Sequence, residues 1–248
     1  MATDRASDRK QALVITPTYN ERDSIGQAVS RLFDAAADRV DLLVIDDGSP
    51  DGTGELVQQL AAGPHDIHLM ERGAKLGLGT AYIAGFRWAM ERGYRAVVEM
   101  DADLSHDPGS VPRLLDALEG ADLAIGSRYV PGGAVENWSK SRQLLSKAGN
   151  AYARMWLGFP VHDATAGFRA YRTEFLKELD LDSVTSEGYG FQIEMTRRAY
   201  KHGGRIVEVP ITLGERVAGH SKMSKQIVVE ALASVTKWGV RDRFGRSR

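Results

Sequence analysis

The 248-residue sequence contains no cysteine. This absence excludes disulfide bonds, iron–sulfur clusters, thiolate zinc sites and catalysis by a thiol. The sequence also lacks any run of 18 apolar residues, so no transmembrane helix is predicted. Residues Met1–Lys10 are polar and charged and lack the apolar segment of a secretory signal. We therefore expect a cytoplasmic protein with a disordered leader over residues 1–11.

The whole chain has almost no net charge, because its 32 Lys and Arg residues nearly balance its 33 Asp and Glu residues. The last thirty residues are different, since they hold seven Lys or Arg residues and only two acids, Glu230 and Asp242. Such a basic end is typical of a segment that meets a membrane, a nucleic acid or another anionic surface. A solvated chain end is the alternative.

The composition, with 43% hydrophobic and 26% charged residues, is that of a globular protein. Short apolar runs alternate with helical patterns over residues 12–126, which predicts βαβ units and an α/β fold with a mainly parallel sheet. The predicted strands of this half are Ala12–Thr16, Leu42–Ile45, Ile67–Met70, Ala96–Met100 and Leu123–Ile125. The second half is less regular, with predicted helices at Ser141–Leu157, Tyr189–His202 and Ser224–Val240 and a strand at Ile206–Val209.

Polar clusters follow the first two predicted strands, and ligands of such sheets bind at the carboxyl ends of the strands. The first cluster is PTYNE at residues 17–21, and the second is DDGS at residues 46–49. An aromatic ring with carboxylates suits a nucleoside, while a capped turn is the alternative for both clusters. Neighbouring acids on an extended chain point to opposite sides. We therefore expect Asp47 to accept from a base or ribose and Asp46 to hold the loop.

Asp101 and Asp103 follow the fourth predicted strand. Carboxylates two residues apart, where a strand turns into a loop, can converge on one Mg²⁺ or Mn²⁺ ion that also binds substrate phosphate. A surface turn is the alternative. The turn around Lys75, KLGLGTA at residues 75–81, leads into a helix and suits a phosphate. It has neither the ending of a P-loop nor the position of a dinucleotide fingerprint.

Cations beside Gly or Ser in the second half are candidates for phosphate contacts, because guanidinium groups bind phosphate through two hydrogen bonds. Solvated surface charge is the alternative for each. A further segment, GYGFQIE at residues 188–194, is either a wall of an acceptor site or packing. The candidate cations are Arg128, Arg142, Arg169, Arg216 and Lys222.

The order of the motifs along the chain is more specific than any one of them. PTYNE, IDDGSPD (45–51), KLGLGTA, MDADLSH (100–106) and IGSRYV (125–130) follow one another as in the inverting GT-A glycosyltransferases of family 2, which this chain resembles. VPGG through ENW (130–138), Arg142, GFR (167–169) and GHSK (219–222) narrow the resemblance to the dolichol- and polyprenol-phosphate mannose synthases of that family. The resemblance covers about residues 12–225.

The resemblance implies a GT-A, Rossmann-like α/β domain at 12–225, followed by a basic C-terminal helix and tail at 226–248. It also implies acceptor-binding and membrane-proximal helices in the C-terminal part. The implied reaction transfers mannose from GDP-mannose to polyprenyl (dolichyl) phosphate with inversion, as a lipid-linked mannose donor. Because a phosphate monoester is already an anion at neutral pH, no general base is assigned.

The resemblance also assigns residues. The catalytic set is Asp103, Arg128 and Arg142. The donor nucleotide contacts Pro17, Tyr19, Glu21, Ile45, Asp47, Asp101, Ala102 and Asp103. The phosphate-binding set is Arg128, Arg142, Arg216 and Lys222. Mg²⁺ or Mn²⁺ is held by Asp101, Asp103 and Ser105, where Ser105 replaces the longer Gln of some members. The implied partners are GDP-mannose, polyprenyl phosphate and a membrane-anchoring protein. The resemblance also implies peripheral binding at the cytoplasmic face of a membrane.

The sequence also predicts how the protein binds a membrane, and other functions remain as alternatives. The helix Ser141–Leu157 carries Lys147, Arg154 and an apolar face with Trp156, and with the basic end it predicts peripheral attachment. The alternative is that this helix packs on the sheet. Within the class, the rival is a polyprenyl-phosphate glucosyltransferase that uses UDP-glucose. A receiver-like module is disfavoured because it would have about 120 residues. A nucleic-acid-binding protein is disfavoured because this chain lacks the alternating aromatic and basic residues that stack and pair with nucleic acid.

Overall fold

The computed structural model describes residues 12–215 and 225–244. Nine strands and eight α-helices lie in this part of the chain: β1 Ala12–Thr18, α1 Arg22–Ala36, β2 Val40–Asp46, α2 Thr53–Ala61, β3 Ile67–Glu71, α3 Leu78–Glu91, β4 Ala96–Glu99, α4 Val111–Ala117, β5 Leu123–Ser127, β6 Ala134–Val135, α5 Lys140–Leu157, β7 Arg169–Arg172, α6 Thr173–Leu176, α7 Tyr189–Lys201, β8 Ile206–Pro210, β9 Thr212–Leu213 and α8 Lys225–Phe244.

Seven strands form one sheet in the order β3-β2-β1-β4-β7-β5-β8. β1 pairs in parallel with both β2 and β4, and β5 pairs in parallel with β8. The predicted α/β fold with a mainly parallel sheet is confirmed. β6 and β9 form a separate two-stranded ribbon beside it.

β7 is the strand of the seven-stranded sheet that the sequence did not predict. It lies antiparallel between β4 and β5, with Ala170 opposite both Val98 and Ala124. The strand has four residues, and arginines stand at both of its ends, so it lacks the long apolar run that identified the other strands. Its insertion brings the loop before Arg169 to the centre of the carboxyl edge.

The sheet is buried on both faces because its side chains alternate between two apolar clusters. Leu13 and Ile15 of β1 pack in the cluster that includes residues of α3, α5, α7 and α8. Ala12 and Val14 pack in the cluster that includes residues of α1, α2 and α4. The carboxyl ends of the strands other than β7 lie at one edge of this buried sheet.

The first helix begins at Arg22 and is held there by the turn after β2. The Asp51 carboxylate accepts a hydrogen bond from the Arg22 amide at 3.1 Å. Ser24 is buried and donates to the Glu21 carbonyl. The cap is therefore supplied by the turn after β2, which sequence spacing alone does not show.

α8 packs against α5 and α7. Asp242 forms ion pairs with Arg197 and Lys201 of α7. Gly239 faces Trp156, and a Cβ there would lie 2.8 Å from the Trp156 ring atom Cε3, so only glycine permits this approach. Across the described residues, no helix combines the length and apolarity needed to cross a membrane.

The packing alternative for α5 holds for one side of the helix, since Ala153 and Leu157 lie in the core cluster with residues of the sheet. Trp156, expected on the membrane-facing side, packs against Gly239 of α8. Leu144, Leu145 and Met155 remain 71%, 53% and 62% exposed. One side of α5 therefore supports the fold while another presents apolar side chains to the outside.

Candidate functional site

The carboxyl ends of β1, β2 and β4 meet at a cavity of about 530 Å³. The residues predicted for a donor nucleotide, apart from Ile45, lie in its lining: Pro17, Tyr19, Glu21, Asp47, Asp101, Ala102 and Asp103. The expected acceptor cations Arg128 and Arg142 line the same cavity. The sequence motifs therefore converge on one site.

The Asp47 end of the cavity is built from charged and aromatic groups. Arg72 donates from Nε to Asp47 Oδ1 at 2.7 Å, and the Leu76 amide donates to Oδ2 at 3.3 Å. The Lys75 ammonium lies 4.4 Å from the centre of the Tyr19 ring. Asp47 and Tyr19 are thus held by the Lys75 loop, and this end suits a flat, polar group.

Asp46 and Ile45 face away from this end. Asp46 accepts hydrogen bonds from the Ser49 amide and hydroxyl and from the Thr18 hydroxyl, so it holds the loop as expected. Ile45 was expected in the donor pocket, but its side chain is completely buried in the core and does not line the cavity. The structure does not place Ile45 in the donor pocket, because helix α3 covers this part of β2 and Gly85 of α3 packs against the Ile45 side chain.

The glycine-rich turn before α3 already has an anionic partner. The Glu187 carboxylate accepts a hydrogen bond from the Gly79 amide at 3.2 Å. A Cβ on Gly77, whose φ is +99°, would lie 2.5 Å from the same carboxylate. A phosphate at this helix end would have to displace Glu187, so the turn serves here as a wall of the cavity.

Asp101 and Asp103 lie in a tight loop after β4. Leu104 has a left-handed backbone, with φ of 64°, and the turn brings the Ser105 amide and hydroxyl to Asp103 Oδ1 at 3.0 and 2.6 Å. Ser105 therefore orients the carboxylate through its hydroxyl. Two carboxylates and a hydroxyl are hard oxygen donors that fit Mg²⁺ or Mn²⁺. Among the described residues, no three acidic or histidine side chains are arranged so that together they could hold a metal ion.

A buried layer supports the acidic loop from below. Glu99, the last residue of β4, accepts a hydrogen bond from the Gln192 amide at 2.6 Å. Burial raises the pKa of Glu99 to about 7, against the opposing charge of Arg169. The Tyr82 hydroxyl lies 3.4 Å from Asp101 Oδ1. Polar groups thus continue beneath the site.

Arg169 belongs to that layer and is not a phosphate contact. Its side chain is fully buried and donates to the carbonyl groups of Ala164, Ala166 and Gln192. The candidate role in phosphate binding is wrong, because β7 turns this side chain into the core. Its guanidinium fixes the segment before β7 to α7.

Arg128 lies at the opposite end of the cavity from Tyr19, and its charge is balanced. Asp163, completely buried, accepts from Arg128 Nε at 2.7 Å and from Nη2 at 2.5 Å. Burial opposes the charged form of Arg128, but the Asp163 carboxylate outweighs it and raises the pKa of the guanidinium. Thr165 accepts a further bond from Nη2 at 2.9 Å, which leaves Nη1 for a ligand.

Arg142 carries a charge with no such balance. It lies in the first turn of α5, where the Ser139 hydroxyl caps the helix by accepting from the Arg142 amide. Its guanidinium is stacked 3.8 Å from the centre of the Trp138 ring. Within residues 12–215 and 225–244, no acidic side chain forms an ion pair with it. Arg142 therefore offers a free positive charge at this end.

A second cavity of about 370 Å³ opens from the arginine end and runs between α5 and α8. Its lining is mainly apolar, with Leu145 and Tyr152 from α5 and Leu232 and Val235 from α8. We call it the apolar groove. The groove and the polar cavity share Arg128, Trp138, Arg142, Thr165 and Tyr189.

Several lining residues were not singled out from the sequence as ligand contacts. Trp138 and Thr165 stand beside the two arginines, and His106, Gln192 and Glu187 line the other walls. Their only signal was position inside or next to the quoted motifs. Within GYGFQIE, Tyr189 lines the cavity, while Phe191 belongs to the core. Arg216 and Lys222 lie outside the described residues.

Comparison with known proteins gives a consistent result. The family model for glycosyl transferase family 2 matches residues 13–180. A polyprenol monophosphomannose synthase of Mycolicibacterium smegmatis is 54% identical over 249 residues, covering 100% of this chain and 93% of that protein. An undecaprenyl-phosphate mannosyltransferase of Micrococcus luteus is 53% identical over 234 residues, covering 94% and 96%.

A more distant relative and a solved structure agree. A dolichol-phosphate mannosyltransferase of Pyrococcus furiosus is 37% identical, covering 91% of this chain and 63% of that protein. The glucosyl-3-phosphoglycerate synthase of Mycobacterium tuberculosis, solved with Mn²⁺, UDP and glucosyl-3-phosphoglycerate, superposes with a TM-score of 0.66 at 22% identity, covering 98% and 82% of the two chains. The expected GT-A-like fold is confirmed.

Proposed function

Because this chain belongs to glycosyl transferase family 2, we propose that it transfers mannose from GDP-mannose to the phosphate of a polyprenol. The relatives of 54% and 53% identity are named for polyprenol and undecaprenyl phosphate as mannose acceptors. The lipid-linked product then acts as a mannose donor.

One observation carries the proposal: the polar cavity and the apolar groove meet at two arginines. A lipid phosphate at Arg128 and Arg142 places its headgroup in the polar cavity. Its prenyl chain then lies along Leu145, Leu232 and Val235 in the groove. An acceptor without an apolar chain would not bind in such a groove.

The chemistry is a direct displacement. An oxygen of the acceptor phosphate forms a bond to the anomeric carbon, and the bond from that carbon to the diphosphate breaks, with its electron pair leaving on GDP. The acceptor dianion becomes a diester monoanion while GDP gains one negative charge, so no proton is needed. Attack opposite the leaving group inverts the α-linked donor to β-mannosyl phosphate. Arg142 and Arg128 orient the nucleophile and offset its charge.

Asp101 and Asp103, with Ser105 orienting Asp103, are the residues that would hold Mg²⁺ or Mn²⁺. A bound divalent ion supplies charge neutralisation to the leaving diphosphate. Tyr19, Glu21 and Asp47 at the other end of the cavity would bind the guanosine.

The exposed apolar side chains of α5 and α8 support peripheral binding at the cytoplasmic face of a membrane. Leu144 and Met155 of α5 and Val229 and Phe244 of α8 are each more than 60% exposed. A prenyl chain must leave the bilayer to enter the groove between these same helices. Basic side chains near an anionic leaflet add roughly 1 kcal/mol each. A membrane-anchoring partner protein is a further part of this proposal.

Vesicle flotation tests the membrane contact. Replacing Leu144 and Met155 with Ser is expected to reduce co-flotation with anionic vesicles, and neutralising Lys237 and Arg241 is expected to reduce it further at low salt. Arg243 is left unchanged because it donates to the Met155 carbonyl and supports the fold. Unchanged flotation of all variants would contradict the contact.

A transfer assay tests the function itself. Labelled mannose from GDP-mannose should appear in lipid-extractable product with a polyprenyl phosphate and Mg²⁺, and should be lost with EDTA or in Asp103→Ala. Tight GDP binding without product would contradict the acceptor assignment. Binding of UDP in place of GDP would overturn the donor and favour the glucosyltransferase that uses UDP-glucose.

A further inference from the structure

The proposed function does not yet assign a binding subsite to the hexose of the donor. In the proposed complex the nucleoside binds at the end of the cavity with Tyr19 and Asp47. The diphosphate binds at the acidic loop of Asp101 and Asp103, and the acceptor phosphate binds at Arg128 and Arg142. The transferred hexose must lie between the last two, because its anomeric carbon bonds to one phosphate and is attacked by the other. His106, Ala166, Gly167 and Gln192 line the cavity. His106 is bonded to the Asp101 amide of the acidic loop, and its neighbour Gly167 lies two residues after Thr165, which accepts a hydrogen bond from Arg128. These residues therefore connect the acidic loop to the arginine end.

His106 is positioned there with one ring nitrogen fixed. Nδ1 accepts a hydrogen bond from the Asp101 amide at 3.1 Å, so the proton of the neutral ring lies on Nε2. The ring is 5% exposed and stacks on Phe168 with 4.9 Å between centroids. Within the described chain, Nε2 has no hydrogen-bond partner. A fixed donor with no protein acceptor thus lies in the lining of the cavity.

Gly167 lies beside that ring and leaves room. A Cβ added to Gly167 would lie 3.7 Å from His106 Cε1 and 3.9 Å from Gln192 Nε2, which are ordinary contacts. The protein would therefore accept alanine, and the added methyl group would enter space at the cavity wall. Gln192 cannot move to fill that space, because its amide is held by Glu99.

We propose that His106 and Gly167 form the floor of the hexose subsite, in which His106 donates its Nε2–H to a hydroxyl oxygen of the transferred sugar. The inference rests on the proposed function. His106 also joins this contact to the acidic loop, since its other nitrogen holds the Asp101 backbone. Gly167 is the position at which a side chain would exclude the sugar.

Two variants separate the sugar contact from support of the loop. Asparagine at this position, His106→Asn, keeps an acceptor for the Asp101 amide and removes the Nε2–H donor. Gly167→Ala adds only the methyl group. The exposed His202 provides the matched control His202→Asn. Dissociation constants are measured by calorimetry for GDP and for GDP-mannose, both with Mn²⁺.

The expected result is a selective loss. GDP affinity should stay within about twofold in every variant, while GDP-mannose should bind roughly 3- to 10-fold more weakly to His106→Asn, the size of one hydrogen bond. Gly167→Ala should weaken GDP-mannose by about 10-fold or more. Equal losses for GDP and GDP-mannose would show that His106 supports only the acidic loop and would overturn the subsite, as would no loss at all.

Failure of the proposed donor is distinguishable from failure of the subsite. If the unmodified protein binds UDP-glucose and not GDP-mannose, the donor assignment fails. The same comparison, between UDP and UDP-glucose, then decides whether His106 and Gly167 contact the hexose.

Discussion

Replacing Arg142 with glutamine should remove most of the free positive charge offered to the acceptor phosphate. Arg142 is held by Trp138 at 3.8 Å, and no carboxylate of the described residues balances it. A hydrogen bond to a charged group contributes about 1.5–3 kcal/mol. At about 1.36 kcal/mol per factor of ten, Arg142→Gln should lower kcat/KM for the acceptor roughly 10- to 150-fold.

Arg142 gives a cleaner test than Arg128. Loss of the Arg128 side chain leaves the completely buried Asp163 without its ion partner, and breaking a buried pair costs about 3–5 kcal/mol of stability. An Arg128 variant therefore mixes folding with catalysis. Arg142 has no such partner, so the melting temperature of Arg142→Gln should stay close to that of the unmodified protein.

The assay is steady-state transfer to a short-chain polyprenyl phosphate at saturating GDP-mannose, with GDP affinity measured in parallel. GDP affinity should remain unchanged because Arg142 lies at the acceptor end. Arg31→Gln, an exposed substitution on α1 that lines neither cavity, is the control. A change in acceptor kcat/KM below threefold, or an equal loss of GDP affinity, would refute the assignment of Arg142 to the acceptor phosphate.

Three further outcomes are expected. Gly85→Ala should lower the melting temperature by roughly 2–10 °C in calorimetry, because the new Cβ would lie 2.7 Å from a methyl carbon of the core. The control Gly26→Ala, whose Cβ would have nothing within 4 Å, should not lower it. Equal melting temperatures of the two variants would contradict the packing around Gly85. Asp242→Asn should destabilise the protein at pH 7. Burial would raise the pKa of Asp242, but hydrogen bonds from Arg197 and Lys201 outweigh it and hold the pKa below its usual range. The loss should therefore shrink as the pH falls below about 4, and a loss that is equal in melts at pH 7 and pH 3 would argue against the ion pairs. EDTA should weaken GDP binding far more than guanosine binding in titrations, and equal effects would argue against a metal at the diphosphate.

The half of the site built on parallel strands was predictable from the sequence. Pro17, Asp47 and Asp101 each follow an apolar run, and parallel strands bring their carboxyl ends to one edge. The balance of charge at the other half was not predictable. Arg128 and Arg169 look alike in the sequence, yet Asp163 and Arg128 come together across 35 residues while Arg169 enters the core.

Local spacing also failed where a side chain's direction depends on its neighbours. Ile45 precedes the site residue Asp47 by two positions, so alternation alone would put both on one side of β2, but α3 covers Ile45 and places it in the core. β7 was missed because its identity as a strand comes from pairing with β4 and β5 on both sides. The apolar groove depends on the packing of α5 against α8, which no pattern within either helix encodes.

The place of β7 has a consequence for how the protein is made. During synthesis, β4 and β5 emerge well before residue 172, yet their shared neighbour in the sheet is the later strand. The nascent N-terminal half therefore exposes two strand edges, which are sites of mispairing and aggregation until β7 arrives. Folding of the N-terminal half must wait for the later chain that carries β7, so the two halves are expected to fold as one late, cooperative event.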